Sequence, residues 1–163
     1  MIKLDLRIAG LLSLAFSAVA LQDTDNVSSS VVVSQGCYIS AVDNIDFGSI
    51  DGNFSTNKDS SNGSVSVVCT LGTSYSIGIG DGLHADAEQR RLADAQNQSF
   101  INYDLYLDSS YSNPWGNIGS GNEKTGIGSA LRQNHTVFAR IPSGQAAVAA
   151  GSYNDTVVAT VNF

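Results

Sequence analysis

The sequence predicts an all-β protein, and three observations predict it. Apolar residues recur at every second position in several short runs. Sixteen glycines accompany only two prolines in 163 residues, and Ser, Asn, Thr and Val crowd between the runs, which suits short strands joined by tight polar turns. The one stretch with helical propensity, residues 85–96, has Leu92 as nearly its only large apolar residue, too little to hold a long helix against a core. Regularly spaced Val, Ile, Tyr and Phe contribute to a hydrophobic content of 42%, which separates the chain from disordered ones.

Taken in order, the chain opens on Lys3 and Arg7, an apolar run from Ile8 to Phe16, and the small-x-small triplet Ala18-Val19-Ala20. This is the pattern of a secretory signal peptide over residues 1–20. The apolar run falls short of the roughly 20 residues of a membrane span, and polar Gln22-Asp23-Thr24-Asp25-Asn26 follows it. Next comes a strand with no hairpin to hold it. Val27, Ser29, Val31 and Val33 lie on one face, and Ser28, Ser30, Val32 and Ser34 on the other. Without an adjacent partner, this extension, residues 21–35, is expected to pair with a sheet of another molecule, which points to assembly rather than catalysis. Residues 36–163 are the length of one domain.

Cys37 and Cys69 are the only cysteines. In an exported chain an even pair predicts a disulfide, and no second pair or histidine cluster supports a metal site instead. Residues 37–40 and 45–48 read as short strands, and residues 52–63 as a polar surface loop with Phe54 its only apolar side chain. Val65, Val67 and Cys69, then Tyr75, Ile77 and Ile79, alternate on either side of Leu71-Gly72-Thr73-Ser74 and predict a β-hairpin. Ile101, Tyr103, Leu105 and Leu107 predict one half-buried strand. After a Gly- and Asn-rich loop carrying Pro114-Trp115-Gly116, a strand covers residues 136–141. A closing strand covers residues 153–163, with Val157, Ala159, Val161 and Phe163 on one face. Strands of this size, with turns between them, suggest a sandwich of the immunoglobulin type.

Charge and motifs narrow the function. Fifteen acidic and eight basic residues give a formal net charge of −7, which repels nucleic acid and anionic lipid alike. Residues 119–125 place Glu123 where a phosphate loop needs a glycine before its lysine, and no helix pattern follows. His84 and His135 lie in polar stretches outside any nucleophile motif and are expected to be solvated. Asp81, Asp86 and Glu88 lack the spacing of a calcium loop. Arg90-Arg91 has no basic neighbours and reads as a solvated or structurally paired dipeptide. Six Asn-x-Ser/Thr sequons, at Asn26, Asn53, Asn62, Asn97, Asn134 and Asn154, do not decide function in a chain so rich in those residues. No catalytic residue, metal or cofactor is expected.

Particular blocks go further. Gly36-Cys37, Ile45-Asp46-Phe47-Gly48, the run from Val65 to Cys69, and Arg91-Leu92 ahead of Tyr103-Asp104-Leu105-Tyr106-Leu107-Asp108 stand in one order. They are followed by Trp115-Gly116 and Arg140-Ile141-Pro142-Ser143-Gly144-Gln145, then Gly151-Ser152-Tyr153-Asn154-Asp155-Thr156-Val157 and the closing Val161-Asn162-Phe163. On these residues the chain resembles the spore coat protein U family, which includes the Csu-type pilins of archaic chaperone–usher pili.

The resemblance implies an incomplete immunoglobulin-like β-sandwich, lacking its final strand and completed by a donor strand from a neighbouring subunit. The donor would be the extension, with Val27, Val31 and Val33 as anchors. The partners implied are a periplasmic chaperone that covers the open edge, an outer-membrane usher, and identical or related pilin subunits, with no membrane insertion. The expected function is that of a secreted structural pilin, exported through the periplasm to a cell-surface pilus used in adhesion and biofilm formation. A spore coat or extracellular matrix protein would use the same assembly at another address. A tip adhesin would touch surfaces through Tyr111-Ser112-Asn113-Pro114-Trp115, and a hydrolytic enzyme has no acid–base or nucleophile constellation to support it.

Overall fold

A computed structural model describes residues 23–163; the signal-peptide reading of residues 1–20 and the start of the extension lie outside the described residues. Nine strands follow in chain order: β1 (Cys37–Asp43), β2 (Lys58–Cys69), β3 (Ser74–Ile79), β4 (Arg91–Ala93), β5 (Phe100–Asn102), β6 (Asp104–Tyr106), β7 (Lys124–Ile127), β8 (Arg132–Ile141) and β9 (Ala159–Asn162). No helix occurs among the described residues. One sheet has the order β1-β2-β8-β6, a second the order β7-β3-β9, and β4 pairs with β5. Every pairing is antiparallel.

The period-2 patterns place the core between the sheets. Val65, Val67 and Cys69 of β2 and Val137, Ala139 and Ile141 of β8 turn inward to meet Tyr75, Ile77 and Ile79 of β3, with Ile101, Tyr103 and Leu105 beside them. Trp115 is 0% exposed and donates its indole N–H to the Ile77 carbonyl at 2.8 Å, so its polar atom is satisfied where burial would otherwise be costly. Gly78 on β3 is required by close approach: a Cβ there would collide with the backbone of Asn117 and Ile118, which cross over it. Cys37 and Cys69, opposite each other in the β1–β2 register, are joined by a disulfide.

Several sequence expectations are corrected. The runs around Val65 and Tyr75 are not a hairpin, because β2 and β3 belong to different sheets. The turn between them, with Gly72 at a φ of 80°, is a corner of the sandwich, and two inward-facing runs look alike whether they pair laterally or face across the core. The strand expected over residues 101–107 breaks at Tyr103 into β5 and β6. There the backbone N–H turns to the Arg90 carbonyl at 3.1 Å and the phenol donates to Asp155 at 2.8 Å. Residues 45–48 form no strand; they are held beside β2 by side chains, Asn62 accepting from the Asp46 N–H and donating to the Asp46 carbonyl. The polar loop over residues 52–63 ends early, since Lys58 to Gly63 continue β2 against β8, and Phe54 enters the core.

The closing strand is regular only over β9. Even so, Tyr153, Asp155, Val157, Ala159 and Val161 are half-buried while Asn154, Thr156, Val158, Thr160 and Asn162 are exposed, so the expected alternation holds through Val161; Phe163 lies exposed.

Candidate functional site

Two sheet edges face each other without a strand between them. Among the described residues β1 pairs only with β2, and β9 only with β3, so the outer backbone groups of both are open. Between them lies a cleft of about 1090 Å³. Its floor is the core itself: Val65, Leu105, Val137 and Ile141 on one side, with Ile79, Ile101 and Tyr103 on the other. Ile39, Ile45, Phe47, Ile50, Val148 and Val157 form partly covered walls. An apolar floor between two unpaired ladders accepts an extended strand, whose backbone would pair laterally while alternate side chains point down into the core.

The sequence offers a candidate for such a strand just before β1. Val27, Val31 and Val33 are 97%, 86% and 76% exposed, and residues 23–36 have no regular secondary structure. Residues 23–32 lie outside the compact unit that begins at Val33. Ser29, the remaining member of the expected donor face, is exposed as well. Of the expected C-terminal strand residues, Val157 and Ala159 line the cleft and Val161 packs against the core, but Phe163 does not join them.

One end of the cleft is braced by polar groups, Arg90, Tyr103 and Asp155, whose convergence the sequence did not show. Arg90, only 5% exposed, donates to the carbonyls of Ile79 at 2.7 Å, Gly80 at 2.9 Å and Trp115 at 2.8 Å. The guanidinium therefore spans the end of β3 and the segment that crosses it, and its desolvation lowers its pKa from the ordinary arginine value. Asp155 accepts from the Tyr103 hydroxyl and from the Leu83 and His84 N–H groups. Burial, reinforced by Asp155, pushes the Tyr103 phenol far above its ordinary range, so it stays a neutral donor. Both members of the dipeptide are structurally paired, as one of the two expectations had it: Arg90 to the three carbonyls, and Arg91 to Asp86 at 3.2 Å.

Two further expectations change. His135 is not solvated: it is half-buried, with Nε2 2.9 Å from the Tyr75 hydroxyl. Of the loop a tip adhesin would present, Ser112, Asn113 and Pro114 are exposed, whereas Trp115 is in the core and the Tyr111 ring centroid lies 3.9 Å from the Arg140 guanidinium, which Asp59 holds through two hydrogen bonds. Among the described residues no group of three His, Cys, Asp or Glu side chains could hold a metal ion.

Comparison with known proteins agrees with this geometry. The model of the family described as Spore Coat Protein U domain matches residues 23–160. "Protein U" of Myxococcus xanthus is 38% identical over 107 residues, 62% of this chain and 59% of that protein, so the match spans less than two thirds of the relative's length. The chain also superposes, with a TM-score of 0.58 and 23% identity, on a chain of the CsuC–CsuE chaperone–tip adhesion subunit pre-assembly complex from the archaic chaperone–usher Csu pili of Acinetobacter baumannii. That likeness covers 80% of this chain and 40% of the other, and it identifies the fold as an immunoglobulin-like sandwich whose sheets do not close.

Proposed function

Because this chain belongs to the Spore Coat Protein U domain family, whose model spans residues 23–160, we propose that it is a structural subunit that polymerises by donor-strand exchange into a chaperone–usher surface fibre. One observation carries the reading: an apolar cleft with two unpaired edges and an exposed, alternating valine segment occur in the same chain. Either alone is a liability, since an open edge invites uncontrolled pairing. Together they make a self-complementary joint, and one that propagates, because each subunit that gives a strand still offers a cleft.

The energetics favour a durable joint. Three valines contribute about 1.5–3 kcal/mol each on full burial, and each new ladder hydrogen bond adds roughly 0.5–1.5 kcal/mol. A chaperone strand would guard the cleft until an usher exchanges it for the extension of the next subunit, and the fibre would serve attachment and biofilm formation at the cell surface. A second reading, a coat or matrix subunit, draws on the family's description as a spore coat domain and uses the same joint.

The test is topological. A chain lacking residues 21–35 should be soluble only with a chaperone. Appending that segment through a flexible linker after Phe163 should restore a soluble, non-polymerising monomer. A truncated domain already stable and monomeric by itself would overturn the reading.

A further inference from the structure

Resting on the donor-strand reading, we infer that successive subunits also touch head to tail: the turn carrying Leu71 and Leu131 of one copy seats on residues 146–150 of the copy that holds its strand. This assigns a contact surface outside the cleft, with a second copy of this chain as its occupant.

The first surface is fixed by backbone bonds. Gly72 N–H reaches the Gly128 carbonyl at 2.8 Å and Ala130 N–H the Cys69 carbonyl at 3.1 Å, which brings Leu71 and Leu131 to the same end of the sandwich. They are 74% and 72% exposed. The extension leaves the domain at this end, because Thr70 N–H holds the Gly36 carbonyl at 2.9 Å and its hydroxyl reaches the Ser34 carbonyl at 3.4 Å.

The second surface lies at the opposite end of the cleft. There Tyr153 donates its hydroxyl to the Ala149 carbonyl at 2.9 Å, and Gly144 N–H reaches the Phe54 carbonyl at 2.8 Å. Ala146, Ala147, Ala149 and Ala150 are exposed, while Val148 lines the cleft.

Strand direction brings the two ends together. β1 and β9 run in opposite senses, since Cys37 opens β1 beside Cys69 while Asn162 closes β9 beside Ser76, so a donor between them is antiparallel to one and parallel to the other. The contact needs it antiparallel to β9, as β9 is to β3, the more stable ladder on that side. β9 ends beside the start of β3, with Asn162 opposite Ser76, so such a donor finishes at the end where Tyr153 and Val148 lie. Val31 and Val33, the last inward-facing pair of such a donor, would then meet Phe47, Ile50, Val148 and Tyr153, which are only partly covered. From there Ser34, Gln35 and Gly36 span at most about 10 Å. Thr70 is tethered to those residues, so Leu71 beside it comes within reach of residues 146–150 of the acceptor. Charge agrees: in a chain of net charge −7, neither residues 70–74 nor residues 143–152 contain a charged side chain, and the charged neighbour of Leu131 in sequence is the basic Arg132, so no like-charged acidic groups from these segments oppose each other.

Cysteine placement tests the contact. The two native cysteines are bonded to each other, so the thiols of a Leu71→Cys, Ala147→Cys chain react alone. After assembly, a short bismaleimide should link them into a ladder of covalent multimers on a denaturing gel, and a Leu131→Cys, Ala147→Cys chain should do the same. Fibres that form but give no ladder with either pair would overturn the contact while leaving the donor joint standing. Covalent dimers from fibres of Leu71→Cys alone would mean that like ends meet, and would overturn it too. A chain that stays monomeric under all conditions would overturn both the contact and the reading on which it rests.

Discussion

At the scale of single residues, Arg90 shows what a polar dipeptide conceals. The same pair of letters holds one arginine in a surface ion pair and another in the core, and the distinction arises because three carbonyls converge where β3 ends and Trp115 crosses it. Replacing Arg90 with Met strands those acceptors in a dry environment. The expected loss is about 3 kcal/mol or more in urea unfolding, large against the marginal stability of a domain. Lysine should rescue it only in part, because a single ammonium cannot reproduce the spread of the guanidinium fork.

His135 gives the residue-scale pH dependence. Burial, reinforced by Lys124, lowers its pKa from the ordinary 6.5. The unfolded chain therefore takes up a proton at higher pH than the folded one, so stability is full above 6.5 and falls as the pH drops below it. In His135→Gln that part of the acid slope should vanish from unfolding midpoints measured between pH 7 and 5, while the amide retains a partner for Tyr75. An unchanged slope would place the acid sensitivity elsewhere.

At the scale of elements, the disulfide matters because of the strand it holds. β1 has one neighbour, β2, and its other edge forms a wall of the cleft; the bridge fixes its first residue to the last residue of β2. Closing a loop of this length is worth about 3.5–4 kcal/mol in the chain-entropy picture. The Cys37→Ser, Cys69→Ser double variant should lose stability of that order and, with β1 loosened, accept a donor strand more slowly, measured by strand exchange with labelled subunits. Equal exchange rates would show that β1 is held well enough by its ladder alone.

Elements also show how far the sequence could be read. Inward faces were legible because period 2 is a local property: Ile101, Tyr103 and Leu105 are all buried. Partners were not. The alternation on either side of Leu71 is compatible with a hairpin or a sandwich corner, and only the relation of the two sheets decides. Tyr103 and Asp155 break the next strand through a bond across 52 residues, beyond any local pattern.

At the scale of the whole molecule, the proposed donor segment reads in the sequence as a strand without a partner, and residues 23–36 have no regular secondary structure. The cleft was not visible, since it is formed by edges far apart in sequence, β1 and β9, and by strands that leave a gap between them. The pairing of segment and cleft is the central claim, and it has a direct measurement. Val31→Asp places a carboxylate where the neighbouring cleft is apolar, which costs several kcal/mol without a partner, and a period-2 strand cannot turn one residue outward without turning its neighbours inward. Ser30→Asp puts the same charge on the outward face. In mixed assembly with wild-type chains, followed by fibre length, Val31→Asp is predicted to fold, form its disulfide and accept a wild-type strand, yet fail to donate its own, so that fibres shorten as its fraction rises. Ser30→Asp is predicted to leave fibre length nearly unchanged. Fibres of equal length with the two variants would contradict the account.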